Sequence, residues 1–301
     1  LLKFFEWHQR HAPGALTGWL HKKGFVYAHV PYRIKGYSDI LNNPKDTITF
    51  DHHADHAIRE RMATIGADGA LLTHAGGGVL HVTFAEKILA TVLSKLTNLV
   101  PGGGIWMNTQ RPEWNDANNA LVGNGLSMVT LCYLRRFLSF FEPLLKQQSD
   151  STVELTVEMA ALFEAVKQVI HQYLPYAGEA LSPAIRKAVM DALGNAGAQF
   201  REQVYNNGFT GNTTTLPVQD MVDCFTDANT MLEQAIKSNE RIDALYHTYN
   251  IISYSSTEAT VSHLSEMLEG QVAVLSSGYL SASQCVAVLD ALELSALYRK
   301  D

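Results

Sequence analysis

Gly102-Gly-Gly-Ile-Trp-Met-Asn-Thr-Gln-Arg-Pro-Glu-Trp-Asn-Asp-Ala-Asn-Asn119, with the apolar run from Leu121 to Leu145 behind it, is the stretch on which the reading of this chain turns. Two indoles, an arginine, two carboxylates, a glutamine and four asparagines crowd into a glycine-led loop. Such a density of polar groups is costly to hold in a core without partners. It suits a neutral, polyhydroxylated ligand: indoles stack on sugar rings, amides bond hydroxyls, and a carboxyl group protonates a glycosidic oxygen. The residues placed in such a site are Glu113 and Asp116 for the chemistry and Trp106, Asn108, Gln110, Arg111, Trp114, Asn115 and Asn119 for binding, with His52 and His53 as polar contacts from elsewhere in the chain.

Outward from this loop the chain reads as helical. On the N-terminal side, Phe4 to His8 suggest a helix ending before Pro13-Gly14. Phe25 to Ile34 is aromatic and β-branched, which favours extended chain, with Pro31 arguing against a central strand. Ser38 to Asp46 is turn-rich, His52 to Ile65 is a helix ending at Gly66, and Phe84 to Leu99 repeats apolar residues at helical spacing until Pro101-Gly102 stops it. On the C-terminal side, Leu121 to Leu145 is one long helix broken near Pro143. Ser151-Thr-Val-Glu154 has capping-box spacing and opens a helix to about Tyr173. Ser182-Pro183 opens one to about Asn206, Pro217 one to about Ser238, Thr260 to Gly270 forms another, and Ser281-Ala-Ser-Gln284 caps the last. Residues 207–215 form a loop, and residues 239–260 read as irregular.

The expected fold class is therefore mainly α: a single domain over 1–301, with an irregular, partly extended lead-in at 1–50 and helical hairpins over 51–301. Roughly eight helices with functional loops at one end describe an α/α toroid, incomplete at this count. The chain begins Leu1-Leu2-Lys3 and is expected to be a fragment of a longer protein, with the other domains of that parent as its neighbours.

Composition narrows the function. The chain has 301 residues, is 47% hydrophobic and 18% charged, and carries a net charge of −7. This suits a packed globular domain and argues against a general phosphate-backbone binder, so no nucleic-acid partner is expected. No apolar run has the length of a membrane span, so no membrane partner is expected either. Cys132, Cys224 and Cys285 sit in apolar helical patterns as buried thiols, with neither a disulfide framework nor a zinc spacing. A cytoplasmic address is the expectation.

Trp106 to Asn119 resembles the active-site segment of six-hairpin glycosidases, most closely the acidic–Trp–Asn–Asp segment of the cellobiose and chitobiose phosphorylases. The likeness extends weakly over Tyr37-Ser-Asp, Phe50-Asp-His-His53, His81 to Leu99 and Glu266-Met-Leu-Glu-Gly-Gln271. It implies an (α/α)6 catalytic domain that cleaves or phosphorolyses a glycosidic bond of a disaccharide or oligosaccharide with inversion, and a homodimer. Glu113 stands where the family's general acid, usually aspartate, protonates the leaving oxygen. Asp116 matches the second carboxylate, Trp106 and Trp114 resemble sugar-stacking walls, and Arg111 would meet a phosphate or a sugar hydroxyl. No cofactor is implied, but inorganic phosphate enters as a co-substrate if the reaction is phosphorolysis.

The group facing Glu113 decides between water and phosphate. A carboxylate at roughly 6.5–9.5 Å activates water for inversion, whereas cationic groups hold an anionic nucleophile. Asp51, Glu266 and Glu269 are the carboxylates available for the first role. Two other readings stand beside this one. The chain would serve as a non-catalytic helical module that binds glycan or supports other domains. Alternatively, Asp51-His52-His53-Ala-Asp55-His56 would hold a metal, since the triplet is similar to one in manganese phosphoesterases; in this helical setting no metal is expected. Gly76-Gly77-Gly78 and Gly102-Gly103-Gly104 match neither a P-loop nor a dinucleotide fingerprint and read as turns.

Overall fold

The computed structural model describes residues 2–109, 120–177 and 181–299. Helices and strands alternate along the chain. The order is α1 (Leu2–His11), β1 (Lys23–Phe25), β2 (Tyr32–Ile34), α2 (Tyr37–Asn42), β3 (Ile48–Phe50), α3 (His52–Ile65), β4 (Val82–Thr83), α4 (Phe84–Leu96), β5 (Leu99–Val100) and β6 (Gly104–Trp106). It continues with β7 (Gly125–Ser127), α5 (Met128–Lys146), β8 (Thr152–Thr156), α6 (Val157–Tyr173), α7 (Pro183–Asn207), β9 (Thr213–Pro217), α8 (Val218–Ser238), β10 (Tyr249–Tyr254), β11 (Ala259–His263), α9 (Leu268–Ser277) and α10 (Ala282–Leu294).

The mainly-α toroid is overturned. With 56% helix and 17% strand, and a five-stranded antiparallel sheet curled into a half-barrel, the protein is a mixed α/β structure. The sheet runs β11-β10-β7-β6-β5. Its strands alternate between two cores, as a period-two element must. Leu99 and Ile105 enter the larger apolar cluster, which draws on residues from Leu16 to Val288. Val100, Trp106, Leu126 and Ile252 enter a smaller one with Tyr37 of α2 and Met190 of α7. In the larger cluster α5 packs on α8, and α6 lies against α4, α7 and α8.

Four strands feed straight into helices, namely β4 into α4, β7 into α5, β8 into α6 and β9 into α8. Three of these junctions are closed by a hydroxyl. The side chains of Thr83, Ser127 and Thr156 accept from the backbone N–H of Glu86, Thr130 and Met159, which satisfies one orphan donor of each first turn. This junction explains one mistaken expectation. Ser151-Thr-Val-Glu154 has the spacing of a capping box, yet Thr152–Thr156 is a strand paired with β9, and the cap is Thr156. Residues 213–215, expected as loop, form its partner strand.

The stretch expected to be irregular, 239–260, contains β10 and the start of β11. The helix expected from Thr260 to Gly270 begins only at Leu268. Ile251 and Ile252 in β10 and Thr260 and Val261 in β11 are β-branched and favour the paired strands seen here over a helix. Pro143 does not break α5, which runs on to Lys146. α3 over His52–Ile65 with Gly66 at its C-terminus, α7 behind Ser182-Pro183, and the complete capping box of Ser281 and Gln284 on α10 agree with the sequence reading. Among the described residues no helix is long and apolar enough to cross a membrane.

Candidate functional site

Gln110, Arg111, Glu113, Trp114, Asn115, Asp116 and Asn119 lie outside the described residues. The two stems that carry this segment are described, and they are clamped. Met107 N–H donates to Gly125 O at 2.8 Å and Gly123 N–H donates to Met107 O at 2.7 Å. The Trp106 indole N–H donates to Gly123 O at 2.8 Å. Gly123 has a φ of +96° and lies so near Pro44 that an added Cβ would stand 2.8 Å from its carbonyl oxygen, so glycine is required there.

Trp106 is thus no open platform. It is 4% exposed, and its ring meets Tyr37 and Tyr254 edge-on in the smaller core. Asn108 is also buried and committed. Its Nδ2 donates to Asn98 Oδ1 at 2.8 Å, and its Oδ1 accepts from Thr109 Oγ1 at 3.1 Å. Asn98 Nδ2 in turn donates to Ser94 O at 3.0 Å. This chain of amides and hydroxyls leads from the C-terminal end of α4 to Thr109, the last described residue before Gln110.

Ser94, Asn98 and Thr109 all face one cleft of about 470 Å3 between α4, α6 and α7. That is the size of a small-ligand pocket. Tyr27, Phe200, Tyr205 and Phe209 supply its aromatic wall, and Lys95 and Arg201 bring positive charge. No carboxylate occurs among the described lining residues. Lys95 is exposed, and partial desolvation by the protein beside it lowers its pKa. Burial acts in the same direction on Arg201, whose guanidinium stays charged. Among the described residues neither cation has a hydrogen-bond or ion-pair partner, and Arg201 Nε is buried without one. Gly197, one turn before Arg201, makes the close approach possible: a Cβ there would stand 2.9 Å from Thr97 Cβ and 3.2 Å from Arg201 Nη1.

Behind the aromatic wall, the Tyr27 hydroxyl donates to Glu86 Oε1 at 3.3 Å, and Lys87 Nζ sits 4.3 Å from the Tyr27 ring centroid. Glu86 is buried and also accepts from Thr156 N–H at 2.6 Å and Thr156 Oγ1 at 2.9 Å. Burial raises its pKa above the usual carboxylate range, against the pull of those donors.

The remaining sequence candidates hold structural posts. Asp51 caps α3 by accepting from Ala54 N–H and pairs with Arg33 Nε at 2.6 Å; these bonds keep its carboxyl below the ordinary range. His52 and His53 are exposed on the first turn of α3 and do not line the cleft; His52 lies edge-on to Phe50. Asp55 pairs with Arg59 and His56 approaches Glu60, each one helical turn on. Among the described residues no group of three His, Cys, Asp or Glu side chains is placed to hold a metal ion. Glu269 accepts from the Tyr249 hydroxyl and Glu266 lies 3.4 Å from Arg241, so neither faces the cleft.

Gly102 and Gly103 lie in the β5–β6 turn and Gly104 opens β6; the turn carbonyls are engaged, Gly102 O accepting from Asn239 Nδ2 and Gly103 O from Asn250 Nδ2. Asn250 Nδ2 also donates to Asn239 Oδ1, which leaves Asn250 Oδ1 as acceptor for His263 Nδ1 at 2.7 Å. His263 stacks on His247 at 3.9 Å.

Lys95, Arg201 and Tyr205 are absent from the sequence reading. A signal for Arg201 exists. Gly194-Asn-Ala-Gly197 inside a helix marks close packing against a neighbour, and Arg201 lies one turn beyond it. No family model matches the sequence, and no curated protein is significantly similar to it.

Proposed function

We propose that the cleft between α4, α6 and α7, together with the segment that follows Thr109, is a carbohydrate-processing site. In it a glycosidic bond is cleaved with inversion and Glu113 protonates the leaving oxygen. The observation that supports this reading is the continuity of the polar chain Ser94–Asn98–Asn108–Thr109 with an aromatic-walled cleft of sugar-binding size. Sugar hydroxyls pair with amides and hydroxyls, and sugar C–H faces pair with rings, so both kinds of wall are used. The chemistry is proposed without the toroid. Trp106 supports the site from beneath by holding the loop stem, and Tyr27, Phe200 and Tyr205 take the place of the stacking walls. The same proposal carries a cytoplasmic address for the three free thiols.

The test is turnover of β-linked disaccharides and glucans by the full-length protein, with and without phosphate. Glu113→Gln should lower the rate by roughly 100-fold or more, the usual worth of a positioned general acid. An unchanged rate removes the acid assignment. Saturable oligosaccharide binding with no turnover in any buffer would instead make the chain a glycan-binding module.

A further inference from the structure

We infer that the groove between α6 and α7 is a binding site for a small aliphatic primary amine, whose ammonium pairs with Glu158. The groove is separate from the cleft: Leu162 and Phe200 are the only described lining residues the two have in common. The inference therefore stands whether or not the cleft processes sugar. Glu158 lies in the first turn of α6 and is 3% exposed. Its Oε1 accepts from the N–H and from the hydroxyl of Thr210, each at 2.8 Å. Those two bonds fasten the segment before β9 to α6, so Oε1 alone carries the structural duty. Oε2 is buried and has no partner among the described residues. A buried carboxyl oxygen without a donor is costly, and most such groups are paired. No lysine, arginine or histidine is among the described lining residues of the groove, so the chain supplies no counter-charge there.

Shape and chemistry select the ligand. The groove has a volume of about 210 Å3, below the roughly 300 Å3 at which pockets for drug-sized ligands begin. Ala161 and Ala165 follow Glu158 along one face of α6, and Ala196 lines the groove from α7. These short side chains keep the two helices from closing the groove. From Glu158 to Ala165 is about 10 Å along the helix axis, room for an ammonium carrying a short alkyl chain. The aliphatic walls gain from covering CH2 groups and offer nothing to hydroxyls. An ammonium has three N–H donors. Glu158 Oε2 takes one, and the amide oxygens of Gln199 and Gln203, one turn apart on the exposed rim, take the others. Side-chain rotation of the kind common on binding brings Oε2 to the ligand.

The test is calorimetric titration of the full-length protein with n-pentylamine and, separately, with 1-pentanol, a chain of the same length without the charge. Expected is saturable binding of the amine that weakens with salt. The alcohol should bind at least roughly tenfold more weakly, and Glu158→Gln should lower amine affinity by about the same factor, the fold-change of one lost charge-assisted bond. Because Glu158→Gln also touches the Thr210 contact, Ala161→Leu is the second variant. It places a good helix former at an exposed position and fills the groove. Its circular dichroism and melting temperature should match those of the wild type while amine affinity falls roughly tenfold or more. No binding of the amine, equal affinities for amine and alcohol, or amine binding indifferent to both substitutions overturns the inference.

Discussion

Replacing Trp106 by phenylalanine separates a wall that touches sugar from a strut that holds the loop stem. The residue is 4% exposed, and its indole N–H is bonded at 2.8 Å to the carbonyl of Gly123, which is itself buried. Phenylalanine removes that donor and leaves a buried acceptor short of one bond, which costs about 1–3 kcal/mol. It also deletes the part of the ring system that fills the space between Tyr37 and Tyr254, for about another 1 kcal/mol of transfer and cavity cost. The expected loss of stability is ~2–4 kcal/mol. It is measured by equilibrium urea unfolding followed by circular dichroism, with fluorescence as a second probe to check that one transition is observed. The amides of Met107 and Gly123, which bond across the stem, should lose hydrogen-exchange protection in step. A stacking wall open to ligand would behave otherwise: surface changes of this kind stay within about 0.5 kcal/mol, and the loss would fall on affinity. A stability change below ~1 kcal/mol with stem protection intact would refute the strut.

Two further predictions follow from the same geometry. In Gly197→Ala the new methyl meets Thr97 Cβ at 2.9 Å and Arg201 Nη1 at 3.2 Å; overpacking of ~1–3 kcal/mol outweighs a helix-propensity gain of ~1 kcal/mol. A lower melting temperature is expected, and a more stable variant would contradict the close approach of α4 and α7. The stacked pair His247 and His263 is held neutral, His247 by burial and then by His263 and Arg241, and His263 by burial and then by Arg241. Both folded pKa values lie below the unfolded value of about 6.5, so the unfolded chain takes up these protons first. Their contribution is complete above that pH and is lost as pH falls through the lowered folded values. Wild type should lose melting temperature between pH 7.5 and 5 more steeply than His263→Gln; equal slopes would dismiss the pair as an acid-sensitive element.

Much of the helical scaffold was legible because its signals are local. Ser182-Pro183, Gly66 and the Ser281–Gln284 box each satisfy or end backbone hydrogen bonds within one turn, and α7, α3 and α10 begin or end where those residues stand. The sheet was not legible for the opposite reason. β5, β6 and β7 are two or three residues long, too short to display a period, and β10 finds β7 across more than a hundred residues. β8 shows how a local signal misleads: Thr152 to Thr156 alternates and is β-branched, but the hydroxyl and acid at capping-box spacing drew the reading toward a helix. Tertiary pairing with Thr213–Pro217 decided the matter.

The site divides along the same line. A dense polar loop is visible in one dimension, and one stem of that loop leads to a cleft at Thr109. What the density could not reveal is which polar groups are already spent. Asn108 and Asp51 read as free donors and acceptors, yet Asn98 and Thr109 consume the first, and Ala54 and Arg33 the second. Lys95 and Arg201 carry the opposite lesson. Each looks like an ordinary solvated charge on a helix, and each becomes informative only once the cleft that both line is seen to hold no carboxylate among its described residues. In this fold the hydrogen-bond accounting stays open at one further point: among the described residues the buried Nε of Arg201 has no acceptor, and sequence position alone gives no sign of it.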